Sequence, residues 1–185
     1  MNKYDKIILG IDPGTIIMGY GIIGVNNKKK PELIIMGTIE LKKVKDPYLK
    51  LKIIFDRTLH LIDEYKPDEL AIESPFLGKN PQSMHKLGRA QGAAIAACLQ
   101  RDISITEYAP LKIKQSITGN GLAKKEQLAK MLQIELKFKE IPKDLDATDG
   151  LAAAMCHYYQ SKSPMSSGKS NSWADFVNKN TKRVK

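Results

Sequence analysis

The spacing of apolar residues changes once along the chain, and that change limits the folds open to it. Residues 6–11, 18–25 and 32–41 are short apolar runs, separated by the turn Asp12-Pro13-Gly14-Thr15 and by the polar stretch Asn26 to Pro31. They predict three strands in an antiparallel meander. From Tyr48 to Tyr65 the repeat lengthens: Leu51, Ile54, Phe55, Thr58, Leu59 and Ile62 recur at three and four, which predicts an amphipathic helix stopped by Pro67. Strands are then expected at 69–73 and 103–107, and helices at 83–100, 110–117, 123–134 and 144–159, the last with Asp144 as N-cap. The order βββαβαβααα implies an α/β fold: a mixed five-stranded sheet with helices on both faces. Small residues between Gly88 and Ala97 in the second long helix suit close packing.

The 185 residues are enough for one domain with a core. Residues 1–160 are taken as that domain. Residues 161–185 are serine-rich and carry five Lys and one Arg against one acid, half of the net charge of +10. This stretch is expected to be a basic tail, disordered or loosely docked, in which Trp173 and Phe176 are a stray aromatic pair. A surplus of 30 basic over 20 acidic residues favours a polyanionic partner; solubility alone is the plainer account. Cys98 and Cys156 lie in apolar helical stretches, as buried free thiols do, and no cysteine spacing resembles a zinc site. The opening MNKYDKIILGIDPGT runs into a strand with an acid in it, unlike a signal peptide. No apolar run is long enough to cross a bilayer, so the chain is expected to be cytoplasmic with no membrane partner.

Four acids stand at the ends of predicted elements in this basic chain. Asp12 ends a buried strand, where a carboxylate is aimed at a sheet edge; Asp-Pro-Gly is also ordinary turn chemistry. Glu73 ends the run ELAIE, although glutamate is a poor strand former. If the first and fourth strands are neighbours, both carboxylates emerge together and repel, and a divalent cation would relieve that repulsion. A salt bridge from Glu73 to one of many lysines is the alternative. Asp146 and Asp149 share a face of the last helix near its positive end, where acids are common without any further role. His60, His85 and His157 fall in helices and are expected to pack or to face solvent.

Taken together, GIDPGT, then AIES followed by PF, then DATDG opening the last helix, resemble the RNase H-like nuclease superfamily. Within it, PFLGKNPQSMHKLGRAQGA, YAPLKIKQSITGNGLAKKEQ and DATDGLAAAMCH are similar to segments of the RuvC family of bacterial Holliday-junction resolvases. The likeness spans residues 6 to about 160. It implies an RNase H-like fold and a Mg²⁺-dependent endodeoxyribonuclease that makes paired nicks in four-way DNA junctions during recombination and repair. Asp12, Glu73, Asp146 and Asp149 would be the catalytic quartet, holding two Mg²⁺ ions with Asp12 as bridging ligand. Lys114 and Lys125 match the family's functional lysines and would meet DNA phosphates. Phe76, three residues past Glu73, would stack on or wedge between bases. A homodimer would match the two-fold symmetry of the junction, with the 88–97 helix face as candidate contact, and a RuvAB-type branch-migration complex would be the partner machine.

Three other readings compete. An RNase H-like nuclease acting on RNA–DNA hybrids would use the same acids. An actin-like or sugar-kinase-type ATP-binding module also begins with a strand and DxGT, but it needs two duplicated halves and a second glycine-rich loop. A catalytically dead binding module would not be expected to keep four costly acids.

Overall fold

The computed structural model describes residues 3–26, 30–75 and 80–162. The elements run β1 (Lys6–Asp12), β2 (Ile17–Val25), β3 (Glu32–Glu40), α1 (Pro47–Tyr65), β4 (Glu69–Glu73), α2 (Pro81–Leu99), β5 (Ser104–Tyr108), α3 (Pro110–Thr118), α4 (Lys125–Leu136) and α5 (Asp146–Lys162). The order and type of every element match the expectation, with ends displaced by a few residues at most. Those displacements have local causes. α1 and α2 start earlier at Pro47 and Pro81, because Asp46 and Asn80 cap them through side-chain oxygens that accept two backbone N–H groups each. α1 ends where Lys66 turns left-handed, at φ 51°, ahead of Pro67. α5 opens at Asp146 rather than Asp144, yet Asp144 does cap it: its carboxylate accepts the Asp146 N–H at 3.2 Å. α5 continues to Lys162, two residues past the boundary expected at 160. Trp173 and Phe176 lie outside the described residues.

The sheet order is β3-β2-β1-β4-β5. β1, β2 and β3 form the antiparallel meander, and β4 joins β1 in parallel, followed by β5 in parallel with β4. Strand alternation divides the core in two. On one face Ile8, Ile23 and Ala71 pack with Ile113, Leu128, Leu132 and the length of α5. On the other, Leu9, Ile11, Ile22, Leu70 and Ile72 pack with Ile54 and Ile62 of α1 and with Ala90, Ala94 and Cys98 of α2. Helices therefore cover both faces. Both cysteines are free and buried. None of the described helices is long and apolar enough to cross a membrane.

The small residues of α2 behave in two ways. Ala90, Ala94 and Ala97 are fully buried, and α2 makes its close approach to α1. Gly88 and Gly92 are not part of that contact: a Cβ added at either would meet nothing within 4 Å among the described residues. The tight packing instead occurs under α5. A Cβ on Gly10 would lie 2.2 Å from the Gly150 carbonyl oxygen, and one on Gly19 would lie 1.8 Å from that of Asp146. α5 thus sits almost backbone to backbone on β1 and β2.

Candidate active site

Parallel pairing of β1 and β4 places Ile11 opposite Ile72, so Asp12 and Glu73, the next residues, leave the sheet side by side at its carboxyl edge. Each lies two residues beyond a position on the α5 face, Gly10 and Ala71, and so takes that face as well. The α5 face is where the remaining acids wait. The bare backbone at Gly19 seats Asp146 at the start of α5, and Asp149 follows one turn later.

Carboxylate oxygens of Asp12, Asp146 and Asp149 lie within 4.8 Å of one another. Glu73 stands outside that tight group, yet it is close enough for its charge to act on Asp12. Burial pushes the Asp12 carboxyl up, and the charges of Glu73 and Asp149 push it further, to about 8. Burial and the Asp149 charge raise Glu73 to about 7, with Lys114 and Lys125 pulling the other way. Asp149, only 7% exposed, is also raised by burial, against the opposing bond from Lys125. Neither Asp12 nor Glu73 forms an ion pair among the described residues, so the alternative of a Glu73 salt bridge is not realised there.

One cation does reach the acids. Lys125, the first residue of α4, donates to Asp146 Oδ1 at 2.7 Å and also pairs with Asp149 Oδ2. Burial works against its charge, but these two bonds outweigh it and hold the ammonium protonated well above the usual lysine range. Lys114 on α3 makes itself felt through its charge on Glu73 and Asp149. The cluster suits a hard divalent cation: its donors are all carboxylate oxygens, at least three of them converge, and their repulsion is relieved only in part by one lysine.

Both lysines and all four acids therefore meet at one edge, while Phe76 lies outside the described residues. The histidines are elsewhere. His60 pairs with Glu64, His85 is exposed on α2, and His157 is buried between Tyr108 and Glu69. Sequence reasoning missed Gln91. Its Nε2 donates to the Glu73 carbonyl at 3.4 Å and to Glu107 Oε2 at 2.9 Å, tying the end of β4 to β5. The available signal was a single buried amide among the small apolar residues of α2. The described residues form one sheet, without the duplicated halves that an actin-like module needs.

The family described as crossover junction endodeoxyribonuclease RuvC matches residues 8–157. The chain is 58% identical over 183 residues to the crossover junction endodeoxyribonuclease RuvC of Christiangramia forsetii, covering 99% of this chain and 95% of that protein. It is 60% identical over 183 residues to the protein of the same name from Bacteroides fragilis, covering 98% and 97%. Among solved structures, Thermus thermophilus RuvC in complex with a Holliday junction substrate superposes with a TM-score of 0.78 at 27% identity, over 85% of this chain and 95% of that one. A T. thermophilus RuvC structure gives 0.75 at 28% identity, over 84% and 95%. A sheet that brings these acids together, matched along nearly its whole length, leaves one conclusion: the chain belongs to the RuvC family of crossover junction endodeoxyribonucleases.

Proposed function

We propose that this chain is a Holliday-junction resolvase, a metal-dependent endonuclease that cuts four-way DNA junctions in recombination and repair. The observation that carries the reading is the convergence of Asp12, Asp146 and Asp149 within 4.8 Å, with Glu73 beside them, in a protein of net charge +10. These four acids would hold two Mg²⁺ ions, with Asp12 the most central of the ligands on the sheet. When bound, the two metal ions would supply Lewis-acid chemistry, activating water and neutralising the departing 3′ oxygen. The protein's own part is to hold four carboxylates in place and to bring lysines to the phosphate. Lys114 and Lys125 do the latter. Lys125, held between Asp146 and Asp149, would offer its charge to a DNA phosphate at the edge of the cluster. Phe76, in the segment after Glu73, would stack on or wedge between bases at the crossover.

The working unit would be a homodimer, and the open glycines of α2 favour that helix as the contact. A RuvAB-type branch-migration complex would deliver the junction. The basic residues of 163–185 would add sequence-independent DNA affinity. The test is a labelled synthetic four-way junction, incubated with and without Mg²⁺ beside a linear duplex and an RNA–DNA hybrid. Paired nicks in the junction only, and only with Mg²⁺, are expected. Preferential cutting of the hybrid would replace this reading with that of a hybrid-specific nuclease.

A further inference from the structure

A cavity of about 610 Å³ opens between the N-terminal halves of α1 and α2, on the sheet face opposite α5. Its rim carries four cations, Lys45, Lys50, Lys86 and Arg89, and no acid lines it among the described residues. Lys50 is already engaged, donating to the Thr15 carbonyl at 2.7 Å. Lys45, Lys86 and Arg89 take part in none of the ion pairs among the described residues. Solvated surface lysines are usually interspersed with acids; three unpaired cations around one concavity repel one another, and a polyanion would relieve that. The floor is apolar, built from Leu51, Ile54 and Leu87. Tyr48 and Ile16, both on its lining, are 71% and 58% exposed, so an aromatic ring and an aliphatic side chain are open to a ligand there.

Position decides what the cavity is for. Thr15 and Ile16, on its wall, follow Asp12 by three and four residues. β3 ends at Glu40 opposite Ile17, and α1 begins soon after, so the cavity lies at the same carboxyl edge of the sheet as the acids. A polymer crossing that edge passes from the acidic cluster on one face to the basic cavity on the other. A cationic rim over an apolar floor with an exposed tyrosine is the chemistry of a single nucleic-acid strand: phosphates on the cations, a base against the ring.

We infer that this cavity is a second DNA-contact site, which holds a strand of the junction a short way from the scissile phosphate. Lys45, Lys86 and Arg89 take its phosphates and Tyr48 stacks on a base. The inference rests on the junction-nuclease reading and adds a site to it.

The test compares two double variants of equal charge in the full-length protein. Lys86→Gln/Arg89→Gln changes the cavity. Lys3→Gln/Lys66→Gln changes the far end, where Lys3 precedes β1 and Lys66 caps α1. Binding of a labelled four-way junction is measured over a series of KCl concentrations, with cleavage at saturating enzyme as a second readout. The cavity double should flatten the plot of log affinity against log salt by about 1.8, or about 0.9 for each phosphate no longer neutralised. The far-end double should keep the wild-type slope. Tyr48→Ala should weaken binding about tenfold with the slope unchanged. Cleavage at saturation should stay within about twofold for all three. Equal slopes for the two doubles, or a wild-type slope in the cavity double, overturns the inference. A wild-type protein that neither binds nor cuts the junction instead removes the functional reading beneath it, so the two failures are distinguishable.

Discussion

Replacing Asp12 with asparagine should make the metal-free protein more stable at high pH while ending its activity. The Asp12 carboxyl is pushed from the ordinary 3.8 to about 8, first by burial and then by Glu73 and Asp149. The folded protein therefore holds this proton over a range of pH in which the unfolded chain has released it. Stability falls as pH rises from about 4 to about 8 and levels off above that, because the native state binds the extra proton. The span of about four pH units, at roughly 1.4 kcal/mol per unit, sets a ceiling on the order of 5 kcal/mol. Water at the open edge and the effective dielectric of real protein sites reduce this to about 2–4 kcal/mol. Asp12→Asn should remove that loss, so in EDTA the variant should match wild type near pH 4 and exceed it by about 2–4 kcal/mol at pH 9. Saturating Mg²⁺ should reverse the order: wild type gains about 2.7 kcal/mol at a hundredfold excess over Kd, and the variant gains little. Urea unfolding at pH 4, 7 and 9, with EDTA or Mg²⁺, reads both effects, and a nicking assay should show no product. A variant less stable than wild type at pH 9 in EDTA, or one stabilised by Mg²⁺ as strongly as wild type, would refute the reasoning.

Three further outcomes are expected. Lys125→Met leaves Asp149 buried without its cation; the metal-free protein should lose about 1–3 kcal/mol, Mg²⁺ should bind more tightly in a calorimetric titration, and nicking should fall sharply. Gln91→Leu frees the Glu73 carbonyl and the Glu107 carboxylate; cleavage should fall severalfold while junction affinity holds, since only the seat of one acid loosens, and a drop in affinity instead would place Gln91 against the DNA. His157→Phe removes the link between Tyr108 and Glu69 and should cost about 1–3 kcal/mol in a thermal or urea melt without changing nicking. Burial alone would raise the Glu69 carboxyl, but bonds from Lys6 and His157 hold it below the ordinary range. Its contribution is therefore present at neutral pH and lost as pH falls through the acid range, and the variant should show less of that acid-side loss than wild type.

The route from sequence to site was open in some places and closed in others, for physical reasons. Strand alternation and helix periodicity are local, so the ten elements and the two-faced sheet could be read from spacing alone. The meeting of Asp12 and Glu73 followed from one added condition, the adjacency of β1 and β4, which the parallel register satisfies. The approach of α5 was not legible, because a glycine in a strand has no marker that distinguishes a bulge from a helix seat. Gly10 and Gly19 show their role only once the Gly150 and Asp146 carbonyls are seen against them. The glycines of α2 make no such approach within the chain: a Cβ at Gly88 or Gly92 would meet nothing within 4 Å among the described residues, so their residue type alone does not say what packs on them. The Lys125 bonds were equally hidden, since they join residues 21 and 24 apart across a helix–helix contact that no local pattern encodes. The acids of this site are thus placed by two different means. Asp12 and Glu73 are carried by hydrogen-bonded strands, whose register leaves them little freedom. Asp146 and Asp149 ride on a helix whose height above the sheet depends on the absence of a methyl group. A Gly19→Ala change would therefore disturb one half of the cluster and spare the other, which makes backbone contact, rather than any acid, the element on which the shared geometry depends.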